Sequence, residues 1–420
     1  MNDVVMGNER QASAPVSPAE RVWAIDALRG LALFGVLAIN LDTEFRVTFF
    51  EQFLGSPPPP PLDRIAAAFL SFAFEFKAIS LFSLLFGVGL AIQHERLAHN
   101  PRRPVLLTRR LLALLGFGLV HLFLIWNGDI LTEYAIAGLI ALPFLLFMPA
   151  RALLAASAML LLFYTAVPWM PLPFAFPDAA WLTSHVAEAR HVYDTGSFLQ
   201  VLQFRVAEVP DIAKFLAYVF PRTLALILFG VWLWRSGAIR RLSEHRAALV
   251  AAGAALIGLG LLLTAQDKHY LVLLDVGPFA PFWRHFSWAV MGDCAPLLVA
   301  FGYAALVLAA SGSARARRFL QFAVPVGRMA FSNYIAQSIV LGFLFYGYGF
   351  GLMGRIGAAG GLAIAVAIYA AQAVFSRWWL ERYRFGPLEW LWRTLMYGER
   401  QQWRRETRAP AVPAAVTSLP

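Results

Sequence analysis

Cysteine is almost absent from this chain, with Cys294 standing alone. A single thiol excludes an internal disulfide framework and any cysteine-built metal centre, which leaves Cys294 as a small core residue. Charge is scarce as well. Charged residues make up 14% of the 420 positions against 59% hydrophobic ones, and with a mean hydropathy of +0.62 that balance excludes a soluble globular protein of this size. Lysine stands only at Lys77, Lys214 and Lys268, so arginine carries the net charge of +10. The arginines fall in short clusters between apolar runs. They therefore read as topology, with membrane lipids and not nucleic acid as the partner. The leader before Arg21 lacks the charged start, apolar centre and cleavage site of a signal peptide, so the first membrane helix is expected to act as an uncleaved insertion signal. No GxGxxG, P-loop or HExxH arrangement occurs, which leaves nucleotide hydrolysis and zinc proteolysis without support and predicts no metal.

Long apolar runs are what the chain has instead. They recur near 24–44, 66–93, 106–126, 131–148, 151–169, 215–235, 247–265, 287–310, 327–347 and 357–380, most of them close to the ~20 residues that cross a bilayer. The expected fold is an all-α polytopic integral membrane protein of about ten transmembrane helices. It divides into a polar leader over 1–22, a helical membrane domain over 23–381, and a basic, Trp-rich interfacial segment and tail over 382–420. The second run is too long for one perpendicular crossing, so it either tilts or begins as an interfacial piece around 66–76. Arg96, Arg102, Arg103, Arg109 and Arg110 follow it, and further clusters lie at Arg235, Arg240, Arg241 and Arg246 and at Arg315, Arg317, Arg318 and Arg328. These mark the cytoplasmic side and place both termini there. The segments 170–213 and 266–286 then face outward; the first opens with Pro168, Pro171, Pro173 and Pro177 and continues as an amphipathic helix over 179–193. Pro57–Pro61 is expected to be an extended spacer.

Polar residues inside such runs are expensive and tend to be functional. Asp26 and Arg29 share one face of the first helix at its cytoplasmic start, where they pair or hold a common anion. Helix-end chemistry accounts for them too, since Asp26 suits the dipole and Arg29 can snorkel. Asn40 lies eleven residues beyond Arg29, roughly 16 Å further across the membrane. His121 in the third run reaches a similar depth and has the chemistry of a general base; a histidine bonded to a neighbouring helix is the bland alternative. Asp129, in Trp126-Asn127-Gly128-Asp129-Ile130-Leu131, orients His121 or merely caps the fourth helix. Glu133 sits in that helix's first turn, and Glu75 and Lys77 on the second helix face the same cavity or the outer surface. Gly87 and Gly89 read as close helix contacts.

The run Arg21…Ile25-Asp26-Ala27-Leu28-Arg29-Gly30-Leu31-Ala32-Leu33-Phe34-Gly35…Asn40 resembles the opening signature of the YeiB-like bacterial membrane proteins, domain of unknown function 418. Phe82-Ser83-Leu84-Leu85-Phe86-Gly87 and His121 with Gly128-Asp129-Ile130-Leu131 resemble later motifs of that family. Its characteristic ending, over roughly 230–400, is matched by Val326-Gly327-Arg328-Met329-Ala330-Phe331-Ser332-Asn333-Tyr334 and by Gly386-Pro387-Leu388-Glu389-Trp390-Leu391-Trp392-Arg393. The family is in turn similar to transmembrane acyltransferases such as heparan glucosaminide N-acetyltransferase. That resemblance implies a multi-pass protein of the bacterial inner membrane that moves an acyl group from cytosolic acyl-CoA to an envelope acceptor. Arg29, Arg109 and Arg110 would receive the donor phosphates, His121 with Asp129 would activate the acceptor, and Asn40 would hold the carbonyl oxygen. In the acetyltransferase a histidine follows the corresponding asparagine. None lies between Asn40 and Arg64, so only Asn40 carries over by motif and His121 would substitute from another helix. A solute transporter and a non-catalytic lipid-binding scaffold stay open beside the enzyme, as does assembly into a homo-oligomer.

Overall fold

A computed structural model of the chain describes residues 23–55, 58–167, 170, 177–268, 270 and 280–405, without the side chains of 280–291. The leader over 1–22, the tail from 406, residues 269 and 271–279 of the 266–286 connection, and Pro57, Pro168, Pro171 and Pro173 lie outside the described residues.

Among the described residues every regular element is helical. Trp23–Asn40 (α1) runs into a π-helical turn over Leu41–Phe45; Pro61–Ala73 (α2) and Lys77–Arg96 (α3) follow, then Arg103–Val120 (α4), which ends in a second π-helical turn over His121–Ile125. Leu131–Phe147 (α5) and Ala150–Ala166 (α6) lead to Ala179–Thr195 (α7), Phe198–Arg235 (α8), the short Ala238–Ser243 (α9) and Arg246–Asp267 (α10). Ala280–Ala310 (α11), Ala314–Leu320 (α12), Ala323–Arg328 (α13), Ala330–Phe345 (α14), Ala358–Arg382 (α15) and Pro387–Tyr397 (α16) complete the described elements. Among the described residues seven helical spans are long and apolar enough to cross a membrane: α1, α2 with α3, α4, α8, α10, α11 and α15. The apolar helices α5, α6 and α14 occupy three further runs but are shorter.

The long second run divides where its length demanded relief. Phe76 takes a left-handed backbone, φ 57°, which stops α2 and restarts the chain as α3; such a conformation is strained for a bulky residue and tends to persist at functional sites. Helix α8 departs from expectation. It begins at Phe198, not near 215, because Ser197 and Gln200 form a capping box that starts it early. Arg205, Glu208, Asp211 and Lys214 depress the hydropathy of its first half, so a helix there reads as a polar loop.

Small residues set the crossings. A methyl group built on Gly87 of α3 would stand 2.0 Å from the Ile227 carbonyl oxygen of α8, and one on Gly230 of α8 would stand 2.1 Å from that of Leu84. The same reciprocity joins α1 to α13, where Gly30 lies under the Ala323 carbonyl and Gly327 under that of Asp26. Without a hydrophobic drive between helices in lipid, such backbone approach supplies the dispersion contact that holds a bundle. Helix α16 packs back on α4 through Trp392, whose indole nitrogen donates to the Arg110 carbonyl at 2.7 Å.

Candidate functional site

Two cavities lie one beyond the other along α1. The first surrounds its N-terminal half and is basic: Arg29, Arg110 and Arg328 line it, with Trp392 and Glu389 from α16. Arg29 lies against Gly89, donates to the Leu85 carbonyl at 3.4 Å and is 3.9 Å from Asp26, so α3 uses a missing side chain to seat a guanidinium. Arg110 lies 3.8 Å from the centroid of the Trp392 ring, a cation–π contact that fixes the guanidinium without neutralising it. Glu389 accepts from the Phe331 and Ser332 amides at 2.8 and 3.0 Å, which pins α16 to the N-terminus of α14. Burial pushes its carboxyl up from the ordinary glutamate value, and the bonds from Ser332 and Phe331 pull it only part of the way back. Away from the arginines this cavity is apolar, walled by Leu33, Val36, Phe82, Phe86 and Leu114.

The second cavity is acidic. Asn40, Glu44, Glu75, Asp129 and Glu133 line it against a single arginine, Arg222. Val36 and Ile130 belong to the walls of both cavities, so the two are separated by little more than those side chains. Asn40 lies one turn beyond Val36 on the same face of α1 and makes no side-chain hydrogen bond among the described residues, nor does Glu44 in the π-helical turn. Glu133 is buried, with Thr223 and Arg222 beside it.

His121 stands behind this wall, fully buried at 0% exposure. Its Nδ1 is 2.8 Å from Asp129 Oδ1 and its Nε2 is 2.9 Å from the Ser338 hydroxyl of α14. An ionised carboxylate only accepts, so Nδ1 carries the proton; Nε2 then accepts from Ser338, or donates when the ring is an imidazolium. Asp129 also accepts from the Leu131 and Thr132 amides at 3.1 and 2.6 Å, so it caps α5 and holds His121 together. The imidazole itself lines neither cavity, whereas Asp129 does. Both π-helical turns fall here, one carrying Glu44 and the other His121, and π-helical turns are frequent at functional sites.

The structure thus brings Asn40, Asp129, Glu133 and Glu75 to one cavity and Asp26, Arg29 and Arg110 to the other. Arg109 is placed elsewhere: exposed, it donates to the Leu395 carbonyl at 2.9 Å. Lys77 does not snorkel. At 2% exposure its ammonium donates to the Ser71 carbonyl at 2.6 Å and lines a third cavity, while Glu75 meets Lys268 at 3.2 Å. Several functional candidates lie outside the set expected from the sequence. Ser338 meets His121 from 217 residues away. Glu208 of α8 accepts from Asn127 at 2.7 Å and meets His185 of α7 at 2.7 Å, tying α7 to the acidic end, and Arg205 donates to the Ile125 carbonyl left open by the π-helical turn. The signal for Arg205 and Glu208 was their charge within four residues of one another next to a capping box.

Comparison with known proteins gives a consistent family. The model described as protein of unknown function (DUF418) matches residues 233–399. The uncharacterized protein YxaH of Bacillus subtilis (strain 168) is 34% identical, with 94% of this chain and 98% of that relative covered. An uncharacterized 39.9 kDa protein from the amylase 3' region of Bacillus acidopullulyticus is 30% identical over 92% and 96%, and the uncharacterized protein YeiB of Escherichia coli (strain K12) is 28% identical over 90% and 96%. No solved structure matches the chain.

Proposed function

Because the chain belongs to the DUF418 family of YeiB-like membrane proteins, we propose that its two cavities serve the two substrates of an acyl transfer across the bacterial inner membrane. One observation carries this reading: a basic cavity and an acidic cavity lie end to end along α1 with Val36 and Ile130 common to both. In this arrangement α5, α6 and α14 cross with the seven longer helices, making ten spans, and the arginine clusters and both termini lie in the cytoplasm.

The donor is acyl-CoA. Arg29, Arg110 and Arg328 offer planar donors to its phosphates, and Leu33, Phe82 and Phe86 accommodate the acyl chain. The thioester then reaches the Val36/Ile130 junction. Asn40, one turn further, donates to the carbonyl oxygen as charge develops there. The acceptor enters from the acidic side, and its hydroxyl or amine attacks the thioester carbon. The carbon–sulfur bond breaks, CoA leaves as a thiolate, and the acceptor's proton passes to Asp129. His121, hydrogen-bonded to Asp129 and Ser338, is a positioning residue that holds the carboxylate toward the cavity.

The test is transfer of labelled acyl groups from acyl-CoA to envelope material by purified protein in vesicles. Transfer that persists undiminished after Asn40→Ala and Asp129→Asn sinks the mechanism. pH-dependent solute flux without any acyl-CoA binding replaces it with a transporter, which the half-buried Glu75 and the buried Lys77 and Glu133 would also suit. Neither transfer nor flux leaves a lipid-binding scaffold.

A further inference from the structure

The third cavity is not used by the mechanism above. It lies beside the acidic one, between α3, α6, α8, α10 and α11, and two of its lining residues are anomalous. Arg222 of α8 is 3% exposed, yet it donates no hydrogen bond and makes no ion pair among the described residues; its Nε is buried without a partner. Among the described residues the Phe76 and Tyr164 rings face it, at 5.2 and 5.7 Å. Asp293 of α11 is 9% exposed, and its Oδ2 also lacks a hydrogen-bond partner. Both line the same cavity but no ion pair joins them within 4.0 Å.

A buried guanidinium and a buried carboxylate ordinarily close on each other, since each alone carries a large desolvation penalty. Here the packing holds them apart. Phe76, locked in its left-handed conformation at the α2/α3 break, stands against one face of the guanidinium, and Tyr164 stands against Arg222 while its hydroxyl donates to the Asp293 carboxylate, leaving Oδ2 unpartnered. The other charges described in the cavity have partners of their own: Lys268 pairs with Glu75, Lys77 donates to Ser71, and Asp267 is partnered as well. What remains facing the space, among the described residues, is the Arg222 guanidinium and the unpartnered Oδ2 of Asp293.

We propose that this cavity binds a zwitterion, with the ligand's carboxylate or phosphate on Arg222 and its ammonium on Asp293. A guanidinium fork matches a two-oxygen anion and a carboxylate accepts from an ammonium, so a single ligand bearing both groups satisfies both residues at once. A mono-ion satisfies one and leaves the other buried and unpaired. The ligand is therefore an amino acid or a phosphoethanolamine group, free or as a lipid headgroup. Because Arg222 also lines the acidic cavity, such a ligand abuts the acceptor path, but the site does not depend on acyl transfer.

The experiment is binding to the full-length protein in nanodiscs of phosphatidylglycerol, read by thermal shift and calorimetry, with glycine and phosphoethanolamine as probes and acetate and ethylamine as mono-ion controls. At least one zwitterion is expected to bind about tenfold or more tightly than either mono-ion, and Arg222→Gln and Asp293→Asn each to lose about tenfold. In nanodiscs containing phosphatidylethanolamine, blocked binding of the soluble probes identifies the lipid headgroup as occupant, and unchanged binding identifies a free solute. Mono-ions binding as tightly as zwitterions, or no binding of either soluble probe in phosphatidylglycerol together with no phosphatidylethanolamine retained through purification, overturns the proposal. Should a variant fail to fold, the native protein's ranking of zwitterion over mono-ion decides alone.

Discussion

Asp129 Oδ1 sits 2.8 Å from His121 Nδ1 while the same carboxylate caps the helix that begins at Leu131. One side chain thus joins the π-helical end of α4 to the start of α5, and through His121 and Ser338 to α14. Removing one member of a buried, charge-assisted set strands the others.

Asp129→Ala is accordingly expected to destabilise the protein by about 3 kcal/mol, and the His121→Ala change to be non-additive with it by about 1 kcal/mol or more. Thermal unfolding in detergent of both single variants and the double variant measures this. Strict additivity would show that the two side chains do not act together.

Arg29→Gln and Arg110→Gln are expected to weaken acyl-CoA binding about tenfold each, with the loss shrinking as salt is added. Arg109→Gln, directed to the Leu395 carbonyl outside the cavity, should leave affinity unchanged. Equal losses at all three positions would mean that general surface charge, not the cavity, attracts the donor.

Gly327→Ala is expected to cost about 1–3 kcal/mol, although alanine favours helix, because its methyl group would stand 1.9 Å from the Asp26 carbonyl oxygen. Gly116→Ala, with open space around it, should be neutral or stabilising. Thermal unfolding of the pair makes the comparison, and a stabilised Gly327 variant would refute the close α1/α13 crossing.

Glu389 links stability to pH. Burial raises its carboxyl above the ordinary value, which is about 4.3, so the folded state holds the proton more tightly than the unfolded one. Its contribution is complete below that ordinary value and is lost as pH rises through the folded one. Glu389→Gln should therefore flatten the fall in stability above the ordinary glutamate range. An unchanged pH profile by thermal unfolding would count against a buried protonated acid at this site.

The apolar periodicity by itself determined that the chain is a helical membrane protein, where the apolar segments lie, and that the second of them is too long for one perpendicular crossing, because each follows from residue type and the rise of a helix; that it breaks at Phe76 instead of tilting was decided by the structure. Depth was legible for the same reason: Arg29 and Asn40 had to stand at opposite ends of α1. Azimuth was not. That Ser338 meets His121, that Arg109 turns away while Arg110 turns in, and that Arg222 and Asp293 face one space without closing on each other depend on how each helix is rotated against its neighbours. That rotation is set by glycine crossings such as Gly87 with Ile227 and Gly230 with Leu84, where the backbones of distant segments touch. A single helix holds its own spacing, but only the packed bundle decides which of its faces meets which partner.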